Sequence, residues 1–419
     1  MIPTTTMVIV LFLSLVVLRA FWETWLTLRQ IRHVRAHRDQ VPEPFRHAIS
    51  PRDHRQAADY TVAKARAGLA AIALETLMLL VWTLGGGLAW LAQAGHALTG
   101  GPLGTGVFLV LGLLLVSFAV KLPLRAWRVF GIEARFGFNR MGAGTFILDA
   151  LKALILLLVI GIPVVTLFLL VFRVTGNAWW LAVWGLWLAL AVLMSWVVAR
   201  FVAPIFNRFR PLEDDDLRAR IQALLRRCGY RTGEVHVMDA SRRSSHGNAY
   251  FFGLGKDKRI VFFDTLLDQL TPQEIEAVLA HELGHYRRHH LGKRLLVMAI
   301  ATLVGLFAFS LITQHPAVMQ ALGAQPASDA MRLALLILLL PLAAFPFTPL
   351  ASWISRRQEF EADAFAAAYA SPSDLIDALV KLYRNNAMAL DPDPLYSAVH
   401  DSHPPAIVRI RGLSSMVGD

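Results

Sequence analysis

The residues with the clearest chemical potential are His281-Glu282-Leu283-Gly284-His285. Thr271 followed by Pro272-Gln273-Glu274 predicts a helix start just ahead of them. On that helix His281 and His285 lie four residues apart, so their imidazoles share one face and can grip one metal ion. Glu282 flanks the same face, where a carboxylate can take a proton from water activated by the metal. Imidazole and carboxylate ligands with an open fourth position point to zinc, without redox chemistry. Taken alone, the motif equally fits two interfacial histidines at the mouth of an apolar helix. His289 continues the stripe, but eight residues of straight helix rise about 12 Å. Metal–nitrogen bonds are only about 2 Å long. The metzincin pattern also fails, because its third histidine position holds Leu291. Arg287, Arg288, His289 and His290 therefore read as an interfacial basic cluster.

A second stretch, Ser355 to Ala366, offers a third ligand. Glu359 and Asp363 are i,i+4 and share a helix face, while Glu361 points roughly the other way. Glu359 can complete a His₂Glu set, and Asp363 can accept a hydrogen bond from a ligand imidazole. The competing reading is an exposed acidic helix that pairs with Arg356 and Arg357. The single cysteine, Cys228, supplies neither an internal disulfide nor a cysteine cluster for a metal.

The elements that must position these groups are mostly membrane helices. The 419 residues are 56% hydrophobic and 17% charged, with a mean hydropathy of +0.50. Such a chain is neither disordered nor a set of ordinary soluble domains. Spans need about 20 mostly apolar residues. Candidates lie near Met7–Trp25, Gly68–Leu91, Val107–Val120, Leu154–Phe172, Trp179–Val198, Leu295–Ile312 and Leu333–Leu350. Arg19 and Glu23 interrupt the first, the third is short unless Gly101–Gly106 contributes, and Pro341, Pro346 and Pro349 should kink the last. Glu75 lies inside the second span, where an unpaired carboxylate is costly, and is expected to face a wet chamber.

Connections between spans alternate in charge. Residues 27–66 hold nine Lys/Arg and residues 121–152 are also basic, whereas 92–102 and 313–330 contain no Lys or Arg. The positive-inside rule then places the N-terminus outside and the C-terminus in the cytoplasm. A first span is favoured over a cleaved signal peptide, since Met1–Thr6 lacks a positive n-region. The net charge of +11 is spread over these loops and forms no aromatic-interleaved patch, so nucleic acid is excluded as a partner. Two polar stretches, about 206–290 and 352–419, can fold together in water. Within the first, Glu234–Met238, Ala249–Phe252 and Arg259–Phe263 read as short strands.

Together these residues resemble the CAAX prenyl endopeptidase family of integral-membrane zinc metalloproteases. The match includes the segment Ile132 to Arg140, Ala203-Pro204-Ile205-Phe206-Asn207 with Pro211-Leu212-Glu213-Asp214, Ser245 to Gly253, and His403-Pro404-Pro405 with Arg409. It covers most of the chain from about residue 130; the N-terminal third matches by topology. The resemblance implies a mainly α polytopic membrane protein in which about seven transmembrane helices enclose a chamber. A cytoplasmic gluzincin-like zinc domain with a small β-sheet would close it. It further implies one Zn²⁺ held by His281, His285 and Glu359, with Glu282 as general base and Asp363 behind a ligand. Asn248, Ala249 and Tyr250 would offer a strand edge to an extended peptide. His403 and Arg409 would help hold the substrate or its oxyanion.

The expected organisation is residues 1–204 for spans one to five, 205–294 for the first part of the protease domain, 295–351 for spans six and seven, and 352–419 for the remainder. The expected substrate is a peptide or protein, prenylated or membrane-associated, and a monomer is expected. The Ala/Leu/Arg-rich usage and lack of an evident ER-retention signal lean toward a bacterial plasma membrane. Two rival readings are a broad-specificity quality-control membrane protease and a metal-regulated transporter or channel. Seven spans weigh against the first. For the second, Glu75 is the only conspicuous intramembrane charge.

Overall fold

A computed structural model describes residues 4–230, 234–252 and 259–416. Its helices are α1 (Thr5–Ala36), α2 (Pro51–Trp82), α3 (Gly87–Thr99), α4 (Pro102–Ala126), α5 (Ala143–Thr175), α6 (Trp179–Val197) and α7 (Ala203–Phe206). They continue as α8 (Asp215–Arg227), α9 (Asp264–Leu267), α10 (Pro272–Arg287), α11 (His290–Thr313) and α12 (Pro316–Ala321). The last are α13 (Asp329–Ala344), α14 (Thr348–Tyr369), α15 (Pro372–Asn385), α16 (Pro394–His400) and α17 (Ala406–Ser414). The protein is mainly helical. Among the described residues, six helical stretches are long and apolar enough to cross a membrane. One of them, Ala143–Phe206, contains both α5 and α6. These correspond to two of the sequence-derived spans, and α6 packs back along α5 with Phe172 stacked on Trp179 at 4.5 Å. The outer faces are greasy: Val17, Phe21, Ile147, Val159 and Leu296 are all more than 60% exposed. Such patches on a water-soluble surface would be a liability.

Three expected span boundaries change. The second span was read to Leu91, but α2 ends at Trp82 and α3 forms a separate short helix. Gly85, Gly86 and Gly87 make the break. Gly86 sits at φ +75°, and a Cβ on Gly85 or Gly87 would approach the preceding turn to 2.8 Å, so only glycine fits. The first span is longer than expected, because α1 runs through Arg19 and Glu23 without interruption. Arg19 approaches Glu75 at 3.7 Å and Lys121 donates to Glu75 at 3.1 Å, so this intramembrane carboxylate is paired. The last span breaks where its prolines cluster. A 3₁₀ turn at Phe345–Phe347 divides α13 from α14, and α14 carries Glu359 onward without a loop.

The four strands are β1 (Phe209–Pro211), β2 (Glu234–Met238), β3 (Ala249–Phe252) and β4 (Arg259–Phe263), in the order β1-β2-β4-β3. β2 and β4 run parallel and the other pairs are antiparallel, which leaves β3 at an edge. Sheet residues Val237, Ile260 and Phe262 join Ile221 and Leu224 of α8, Leu279 and Leu283 of α10, Leu379 of α15 and Leu413 of α17 in one core. A separate core lies between the apolar helices and includes Leu88, Leu109, Leu169, Met331 and Leu335.

The segment before β3 is docked onto the membrane helices. Phe138 stacks on His246 at 4.6 Å, Ser245 N–H donates to the Phe138 carbonyl, and Asn139 bridges Ser244. Arg243 makes a two-pronged bond to Asp149 of α5, with Nε at 2.8 Å. Thus the segments Ile132–Arg140 and Ser245–Phe252, distant in sequence, support one another.

Candidate metal centre and active site

Helix α10 begins with the cap that the sequence predicts. Thr271 and Glu274 form a reciprocal capping box, with Thr271 N–H donating to the Glu274 carboxylate at 2.8 Å. Lys381 of α15 also grips Glu274, which fixes the start of α10. One face of α10 packs against α14. The contact is unusually close at Gly284, where a Cβ would lie 2.9 Å from the Ala362 Cα and 3.1 Å from its carbonyl oxygen. This approach brings the two chemical stretches of the sequence to one point.

There His281, His285 and Glu359 converge. His285 Nε2 is 3.2 Å from His281 Nε2 and 3.2 Å from Glu359 Oε1, and His281 Nε2 is 3.5 Å from Glu359 Oε2. Donors at about 2.0–2.1 Å from one tetrahedral ion sit roughly 3.3 Å apart. The donor set and its spacing therefore fit a zinc-sized ion. Glu359 is 1% exposed and His281 6%, and burying a carboxylate beside imidazoles calls for compensating positive charge. Burial disfavours the His281 imidazolium, but hydrogen bonds to Asp363 and Glu359 outweigh it and its pKa is pushed up to about 9.

The surrounding shell is well developed. His281 Nδ1–H donates to Asp363 Oδ1 at 2.8 Å, which aims Nε2 at the site. Arg409 is 6% exposed and clamps Asp363 through Nε at 2.9 Å and a second guanidinium nitrogen. Its remaining nitrogen lies 3.6 Å from Glu359. Expected as a donor to substrate, Arg409 is instead committed to carboxylates beneath the site. His403 has its Nδ1 2.7 Å from Glu359 Oε2, yet its side chain is 58% exposed. It therefore borders both the ligand cluster and solvent. The Tyr383 hydroxyl donates to the Pro404 carbonyl at 3.4 Å and steadies this turn. Glu282 is half-buried and makes no hydrogen bond or ion pair among the described residues, which leaves its carboxylate available. Asn248 is exposed just before edge strand β3, its side-chain oxygen accepting from Ala249 N–H at 2.9 Å. Ala249 and Tyr250 are half-buried on that strand.

One member of the shell escapes a reading by periodicity. His289 adopts φ +55°, so the chain turns sharply between α10 and α11 rather than continuing as one straight helix. His290 is thereby folded back and buried, with its Nδ1 2.9 Å from His285 Nδ1 and its Nε2 3.2 Å from Glu361. A proton on His290 Nε2 donates to Glu361, and His290 Nδ1 accepts from His285 Nδ1–H. His285 Nε2 is then left with a free lone pair. Each histidine of the cluster thus has its own oriented partner, Asp363 for His281 and His290 for His285. The basic-cluster expectation for His290 is corrected; its neighbours Arg287, Arg288 and His289 do remain exposed.

Comparison with known proteins decides the family. A family described as CAAX prenyl protease N-terminal, five membrane helices, matches residues 30–208, and Peptidase family M48 matches residues 211–417. A CAAX prenyl protease 1 homolog of Oryza sativa subsp. japonica is 31% identical over 96% of each chain. The chain belongs to peptidase family M48. CAAX prenyl protease 1 of Saccharomyces cerevisiae is 35% identical over 72% of this chain and 71% of its own. The crystal structure of S. mikatae Ste24p superimposes with a TM-score of 0.89 at 28% identity, covering 99% of both chains. The protein is accordingly a multi-pass membrane metallopeptidase.

Two outcomes follow from this geometry. Gly284→Ala must push α14 away from α10 at backbone contacts that cannot yield. Metal affinity in the purified protein should fall at least tenfold, read by chelator competition, and unchanged affinity would contradict the packing argument. A metal must also displace the proton held by His281. Metal uptake by chelated protein should therefore strengthen with rising pH up to about 9 and release protons, measurable by zinc titration at several pH values. Uptake independent of pH would show that His281 is not a ligand.

Proposed function

We propose that the protein is a zinc-dependent endopeptidase that hydrolyses a peptide bond near the C-terminus of a prenylated, membrane-associated protein. The convergence of His281, His285 and Glu359 on one point carries this reading. These three residues would hold one zinc ion, which supplies Lewis-acid activation of water and of the peptide carbonyl. Glu282 then removes a proton from the attacking water and delivers it to the departing amine. Its lack of partners among the described residues suits a carboxylate that must gain and lose a proton. Asp363 and Arg409 hold His281 and Glu359 in place. His403, partly open to solvent beside Glu359, can donate to the oxygen that becomes negative as the carbonyl is attacked. The outer strand of the described sheet, β3 at Asn248, Ala249 and Tyr250, can take an extended peptide as an added strand.

The prenylated substrate class comes from the names of the relatives. Placement in a bacterial plasma membrane rests on composition, since the relatives named above are eukaryotic. Loop charge places the N-terminus outside and the protease domain with the C-terminus in the cytoplasm.

The central test is Glu282→Gln, an amide of nearly the same shape that cannot take a proton. Metal content and fold should persist while cleavage of a farnesylated reporter peptide drops by at least a hundredfold. A variant that cleaves at a comparable rate removes Glu282 from the mechanism. For orientation, reporter tags at the N-terminus, after exposed Ala327 and at the C-terminus should read outside, outside and inside. A cytoplasmic signal from Ala327 would reverse the assignment around α11 to α14.

A further inference from the structure

Beside the metal centre lies a cavity of about 530 Å³, a size typical of pockets for small ligands. His403, Pro404 and Pro405 form part of its wall, so it adjoins Glu359 directly through the 2.7 Å contact of His403. The opposite wall comes from α1, α2 and the helical continuation of α4 at Trp127–Glu133, and it carries two cations, Lys64 and Arg128. Neither has a carboxylate within 4 Å among the described residues. The Lys64 ammonium stands 4.1 Å over the Tyr60 ring, and Arg128 donates one long bond of 3.4 Å to the Ala67 carbonyl. Both side chains are exposed into this space. The acidic group on the wall is Asp401, whose pKa is raised because burial disfavours its charge. Gln30 is occupied, its side-chain oxygen accepting from Asp393 N–H at 2.7 Å. Burial lowers the Lys64 pKa and Glu133 opposes this shift, while Arg128 keeps its charge, so the cavity presents positive charge with unused donors.

We infer that Lys64 and Arg128 form an anion subsite that receives the free C-terminal carboxylate of the substrate. This rests on the endopeptidase reading above and specifies which end of the substrate is recognised. Three extended residues span roughly 10 Å, so a carboxylate held in this cavity limits cleavage to a bond a few residues from the chain end. A CAAX sequence, three residues beyond a prenylated cysteine, ends in such a carboxylate. A carboxylate accepts charge-assisted hydrogen bonds from a guanidinium fork and an ammonium, whereas a C-terminal amide gains neither.

The test uses the full-length, detergent-solubilised Glu282→Gln protein and a fluorescent peptide ending in farnesyl-cysteine plus three residues. The peptide is made both as free acid and as C-terminal amide, and affinity is read by fluorescence anisotropy. The acid should bind about tenfold more tightly than the amide, with the advantage shrinking as salt is raised. Adding Lys64→Met with Arg128→Gln should reduce acid affinity to that of the amide while amide affinity stays constant. The constant amide affinity also reports that the variant is folded. Equal binding of acid and amide by the parent protein overturns the subsite, as does a variant whose acid preference survives intact. Cleavage of the same peptides by the wild-type protein is a separate measurement. Failure to cleave either would refute the peptidase reading, while the affinity comparison still reports on Lys64 and Arg128.

Discussion

The whole arrangement depends on one backbone approach, that of Gly284 on α10 to Ala362 on α14. His281 and His285 belong to one segment and Glu359 to another, separated by two apolar helices and the connection between them. A side chain at residue 284 would hold the helices apart, since a Cβ there already reaches the Ala362 Cα to 2.9 Å. Small residues continue the seam, with Ala277 and Ala280 on α10 and Ala362 and Ala366 on α14 fully or almost fully buried. Donor atoms spaced near 3.3 Å tolerate little separation of their helices, so this seam is as much part of the chemistry as the ligands.

The two site helices are coupled to apolar helices on their far sides. α10 passes into α11 through a single sharp turn at His289, and α13 passes into α14 through the 3₁₀ turn at Phe345–Phe347. Neither junction contains a long flexible loop, so the apolar bundle sets where the site helices lie. The same bundle supports β3 from the other side, through Asp149–Arg243 and the stacked Phe138 and His246. The candidate metal ligands and candidate peptide edge are therefore referenced to one set of helices, which keeps their mutual geometry.

Much of this was legible from residue types and spacing. The capping box at Thr271, strands β2 to β4, and the shared faces of His281 with His285 and of Glu359 with Asp363 follow from local rules. These features depend only on neighbours in sequence. What was hidden depends on chain direction. His290 became a partner of His285 because His289 takes a left-handed conformation, which is unusual for a residue with a Cβ and carries no marker in the sequence. Extending the stripe as a straight helix sent both histidines the wrong way. The break after Trp82 was marked by three glycines but masked by apolar residues on both sides. Arg409 looked like an available donor, and only tertiary packing revealed that its guanidinium is committed to Asp363.

Charge explains why this buried cluster suits a divalent cation. With neutral imidazoles, Glu359 and Asp363 outweigh Arg409 by one negative charge in an environment where net charge is costly. A proton can offset that charge, and His281 is the group that takes it, which is why its pKa rises. Yet a proton satisfies only one of the converging nitrogens. A metal ion accepts both Nε2 lone pairs and a carboxylate oxygen together, and it turns the net charge positive. Held there, such an ion would place the excess positive charge beside His403 and the adjoining cavity, where it could stabilise negative charge developing on a peptide carbonyl oxygen.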